Sequence, residues 1–171
     1  VPLLPNIQYG TERYPEKVAR RLRVLNITAW ISTAVAGGFA IEQVTVEQFF
    51  DPSPDLWKLA AINALAAPIL AAIPLLHRFG ALVAPVTFIV IGYVYFFVVT
   101  MLLGRGAGLQ MYYLVATALA VLVLGAERIF LASVFGAMAV AIIIALQVLV
   151  PQDGLLPATT QFVYFVAAML S

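Results

Sequence analysis

The chain has 171 residues, of which 64% are hydrophobic and only 10% charged, with a mean hydropathy of +1.04; soluble domains run near 45–50% apolar and about 25% charged. That excludes a soluble globular domain. Nine basic against eight acidic residues leave a formal charge of +1, too little to hold nucleic acid by bulk charge, while the absence of cysteine and a single histidine exclude disulfide frameworks, thiolate zinc sites and a multi-histidine metal site within one chain.

The composition instead fits an all-α, polytopic membrane protein. Bilayer hydrocarbon is roughly 30 Å thick and a helix rises about 1.5 Å per residue, so a crossing needs about 20 apolar residues. Residues 1–23 precede the first such run and form an N-terminal segment. Within it Pro15 suits a first helical turn, Glu16 complements the positive helix end, and Lys17, Arg20, Arg21 and Arg23 lead into the apolar run without a breaker. This predicts a basic juxtamembrane helix continuous with the first span. Its ordinary role is holding anionic headgroups; its sharper one is coupling through Arg20 and Arg21.

Residues 24–171 are read as the membrane domain, with apolar runs at 24–43, 56–76, 82–103, 109–125 and 129–150. Ser53-Pro54-Asp55 supplies a helix start before the second run, and Gly80 after His77-Arg78-Phe79 a stop behind it. Pro68, Pro74 and Pro85 predict bends in the second and third helices. A sixth run opens at Thr159 and reaches Ser171 after only about 20 Å of helix. The expectation is a six-helix bundle whose last helix is cut, belonging to a parent that continues beyond Ser171.

Orientation follows from the basic residues. Arg13, Lys17, Arg20, Arg21, Arg23, Arg78 and Arg128 fall on one side, Lys58 and Arg105 on the other, which places the N-terminus in the cytoplasm of a plasma-membrane protein. The acids Glu42, Glu47, Asp51, Asp55 and Asp153 then lie outside, and the spacing of the first four matches no calcium loop.

Few residues suggest chemistry. Ser133, Ala137, Ala141 and Ala145 recur every four residues and would let another helix approach closely, within the protomer or across a dimer seam. Asn63, Thr87, Thr117 and Gln147 are the polar residues at depth, suited to interhelical hydrogen bonds; Gln147, a turn below the outer surface, is also a candidate ligand contact in an outward vestibule. His77 beside Arg78 reads as an interfacial anchor and Glu127-Arg128 as a turn pair. No catalytic, cofactor-binding or metal-ligating set emerges.

Two stretches are distinctive. Residues 18–30, VARRLRVLNITAW, and 74–85, PLLHRFGALVAP, together with LVPQDG at 149–154, resemble the membrane domain of mycobacterial class III adenylyl cyclases of the Cya type. The resemblance covers most of the chain from Tyr14. It implies a final helix that continues into a cytoplasmic linker and one cyclase domain beyond Ser171, homodimeric, making cyclic AMP from ATP with magnesium or manganese bound there and not in this chain. It also implies that the membrane domain anchors, dimerises and serves as receptor for an unidentified extracellular or lipid-borne ligand. Arg20 and Arg21 match the paired arginines of that family, whereas Gly106 and Gln147 stand where some relatives carry acids. The competing reading from a different class is a small-solute transporter or channel.

Overall fold

The computed structural model describes residues 7–49 and 54–152, and among them every regular element is a helix. The expected sixth span at 159–171 lies outside the described residues.

The first helix, α1, runs unbroken from Glu16–Phe49. Its start is where the sequence places it: the Pro15 carbonyl accepts the Val18 and Ala19 amides at 2.8 and 2.9 Å, and Glu16 in the first turn pairs with Arg23. At about 1.5 Å per residue its 34 residues reach roughly 50 Å, well beyond a hydrocarbon slab of about 30 Å, so its basic first turns project past the apolar zone. Within the span, Thr28, Thr33 and Thr45 return their hydroxyls to the carbonyls four residues back at 2.8 to 3.0 Å, which satisfies them without an external partner.

The second helix, α2, covers Pro54–Ala71 and is followed by a 3-10 turn, Ile73–Phe79, bent from it by 41°. The cause is local. Pro68 removes an amide from the ladder, and Pro74, at the start of the turn, can neither donate to nor avoid the carbonyl four residues back. α1 and α2 pack against each other, and each buries residues at helical spacing, Ala19, Leu22, Leu25, Ala29 and Ala36 on α1 and Leu56, Leu59, Ala60, Ala66 and Leu70 on α2. Midway, Asn63 donates to Gln43 Oε1 at 3.0 Å and to its own helix at Leu59 O, so both buried amides are satisfied.

The third helix, α3, spans Val83–Leu103. Pro85 falls in its first turn, where the missing amide is not needed, so it opens the helix and does not bend it as the sequence suggested. The chain divides into two compact units within α3, residues 1–88 and 89–171. In the second unit α3 is followed by two 3-10 turns, Arg105–Ala107 and Leu109–Met111, then α4 at Tyr112–Leu124, a 3-10 turn at Ala126–Arg128 and α5 at Ile129–Leu149. Tyr93 donates to Phe135 O at 3.0 Å and Tyr113 to Tyr93 O at 2.8 Å, with the two tyrosine rings edge to face at 5.1 Å, so three helices are tied by two phenols. Gly136 lets α5 close on α4: a Cβ there would sit 3.2 Å from Thr117 Cγ2.

Among the described residues three helices are long and apolar enough to cross a membrane, and four if α2 with its bent continuation is one span. The predicted fourth span is shorter than expected. Its first residues are taken up by the turn Leu109–Met111, leaving 13 residues of α-helix, about 20 Å.

Candidate functional site

A polar cluster lies where the N-terminal turns meet α1 and the bend after α2. Residues 7–14 form successive turns, Thr11 donating its amide and hydroxyl to Gln8 O and the Tyr14 amide reaching Thr11 O. Gly10 adopts φ +72°, a left-handed conformation that side chains disfavour. A Cβ on it would lie 3.0 Å from His77 Cβ, so this turn rests directly against the histidine.

Asn26 is the hub. It sits on the buried stripe of α1 with no exposure, and its amide nitrogen donates to Ile7 O at 2.9 Å and Tyr9 O at 3.1 Å. With both amide hydrogens engaged, Oδ1 is left to accept, and His77 Nε2 lies 2.7 Å from it. His77 therefore carries its hydrogen on Nε2, and its Nδ1 is buried with no hydrogen-bond partner among the described residues. Tyr14 completes the closure by donating to His77 O at 2.6 Å. The N-terminal turns and α1 are thus joined to the bend after α2, 51 residues on from Asn26, through one asparagine and one histidine.

This overturns the reading of His77 as an interfacial anchor: it is fully buried. Lone histidines next to arginine do resemble headgroup anchors in sequence, but here residues 7–14 fold back over the ring. Asn26 was not foreseen. The signal was its place in the run Leu22, Leu25, Asn26, Ala29, a polar residue on an apolar helical face.

The residues singled out from sequence are spread over the molecule. Arg20 is exposed, while the adjacent Arg21 is half-buried and engaged with a neighbour, as expected of consecutive helical positions about 100° apart. Ser133, Ala137 and Ala141 are exposed and Ala145 half-buried, because α5 buries a different face, Ala132, Phe135, Ala139 and Leu146. Gln147 is exposed, and Arg105 Nη1 donates to its backbone carbonyl at 2.8 Å and to its Oε1 at 3.1 Å, so its side-chain acceptor is already occupied. Thr117 returns its hydroxyl to Tyr113 O. Among the described residues no three His, Asp or Glu side chains converge to hold a metal.

Residues 11–171 match the MASE7 family, a membrane-associated sensor domain. The chain belongs to that family. It is also 45% identical over 162 residues to proteins named adenylate cyclase from Mycobacterium bovis and from two strains of Mycobacterium tuberculosis, CDC 1551 and H37Rv. That alignment covers 94% of this chain and 35% of each relative, so the MASE7 domain spans about a third of the length of the curated relatives it matches. The resemblance read from residues 18–30 and 74–85 holds over nearly the whole sequence.

Proposed function

We propose that this MASE7 domain is the membrane-embedded sensor and dimerisation region of an adenylate cyclase that makes cyclic AMP from ATP, inserted in the plasma membrane with its N-terminus in the cytoplasm. The observation that carries the reading is the 45% identity over 94% of the chain to mycobacterial adenylate cyclases, confined to about a third of their length. The fold supplies a physical route for signalling. α1 is one uninterrupted rod from Glu16 through its apolar run, so a rotation or shift of that span is delivered at Arg20 and Arg21 beyond the apolar zone. The Asn26–His77 joint makes the N-terminal turns and the bend after α2 move with it. The exposed small-residue stripe of α5 is the face offered to a second copy, since close helix approach in lipid depends on short side chains.

The test exchanges this domain for the corresponding region of the mycobacterial relative and measures cyclic AMP per membrane-inserted molecule. A chimaera with activity comparable to the parent supports the reading. A chimaera that inserts and folds but produces no cyclic AMP contradicts it.

A further inference from the structure

Beside the Asn26–His77 joint, the N-terminal turns and the bend after α2 enclose a cleft of about 460 Å³, lined by Tyr9, Gly10, Glu12, Arg13, Pro74, Leu75 and Arg78. That volume lies within the range of about 300–1,000 Å³ typical of small-ligand sites. Two guanidiniums share its wall. Arg13 stacks over the Tyr14 ring at 5.2 Å and Arg78 over the Phe79 ring at 4.5 Å, and neither has a carboxylate within ion-pair reach among the described residues. A guanidinium held by its face keeps its in-plane N–H donors free, the geometry that suits phosphate oxygens. Against the two cations stands one carboxylate, Glu12, so the cleft carries a net positive charge. The remaining wall is apolar, with Tyr9 and Leu75 about half exposed.

We propose that this cleft binds the phosphate of an anionic membrane lipid, Arg13 and Arg78 holding the headgroup while Tyr9, Pro74 and Leu75 receive the glycerol and first methylenes. The position fits. The cleft lies at the end of α1 that carries Lys17, Arg20, Arg21 and Arg23, next to the point where that helix leaves its apolar run. An apolar wall beside two guanidiniums suits an amphiphile better than a free inorganic anion, which would leave Leu75 and Tyr9 uncovered.

The experiment is native mass spectrometry of the whole chain in detergent, titrated with dioleoylphosphatidylglycerol and dioleoylphosphatidylcholine. The wild type should prefer phosphatidylglycerol, and Arg13→Gln or Arg78→Gln should each lower that preference roughly five-fold, with the pair lowering it further. Arg128→Gln, a basic residue elsewhere on the chain, should leave it unchanged. Glu12→Gln should raise it, an outcome that a misfolded cleft would not give. The proposal is overturned if the double variant keeps the wild-type preference, or if Arg128→Gln reduces it as much. Millimolar inorganic phosphate separates the sources: failure to displace phosphatidylglycerol supports the lipid, whereas arginine-dependent displacement identifies free phosphate as occupant and overturns the lipid assignment.

Discussion

Asn26 Oδ1 accepts the Nε2–H of His77 at 2.7 Å across 51 residues of sequence, while the same asparagine donates both amide hydrogens to the backbone of residues 7 and 9. A buried amide with every hydrogen-bonding group engaged is costly to disturb, because truncation strands the partners left behind at about 1–3 kcal/mol per unsatisfied group. Asn26→Ala should therefore lower the thermal unfolding temperature in detergent and speed amide exchange across residues 7–14. His77→Ala should do the same, and the double variant should cost less than the sum of the two, since they share one bond. Additive losses would show that the two side chains act independently.

Gly10 tests the same joint from the other side. Alanine there must adopt φ +72° at a cost of about 1–2 kcal/mol and place its Cβ 3.0 Å from His77 Cβ. Gly10→Ala should destabilise the fold and loosen residues 7–14, whereas Gly37→Ala, with open space around the new methyl group, should be neutral or slightly stabilising. Hydrogen exchange on the two variants checks both.

On α5 two alanines separate association from folding. Ala141 is exposed and Ala139 fully buried. Ala141→Leu should weaken self-association by chemical crosslinking in membranes while leaving protomer stability unchanged. Ala139→Leu overpacks the interior and should cost about 1–3 kcal/mol of stability. An unchanged oligomer with Ala141→Leu would remove the stripe from the interface.

For orientation, the chain has no native cysteine to interfere with labelling. Ala126→Cys, exposed in the turn between α4 and α5, should react only from the cytoplasmic side, and Gln152→Cys, exposed beyond α5, only from outside. The reverse pattern would invert the topology drawn from basic-residue asymmetry.

Much of the helical frame was readable because its signals are local. Pro15 and Glu16 mark the start of α1, Gly125 with φ +81° ends α4, and the apolar run at 129–150 becomes α5 almost residue for residue. The fourth span was overestimated because hydropathy does not register backbone geometry: Gly104 and Gly108 both take positive φ, and Leu109 and Met111, counted with the apolar run, belong to a 3-10 turn before α4. The joint at Asn26 and His77 was hidden for a different reason. Its meaning depends on residues 7–14 returning to cover a histidine more than sixty positions away, a long-range contact that neither periodicity nor capping signals encode. Gln147 illustrates the converse, a polar residue of α5 noticed in the sequence whose partner, Arg105, comes from the connection between α3 and α4. For the small-residue stripe, spacing showed that a close approach was feasible but not which face α5 turns inward.

The most direct test of the sensor reading is cyclic AMP output from a full-length cyclase carrying this domain, with Arg20→Ala and Arg21→Ala introduced together and values normalised to inserted protein. If α1 transmits the state of its span to the catalytic half, output per inserted molecule should change at least several-fold, while the isolated catalytic region, lacking the segment, is insensitive. Unchanged output at equal insertion would reduce the basic start of α1 to a headgroup and topology anchor, contradicting its role as the coupling element.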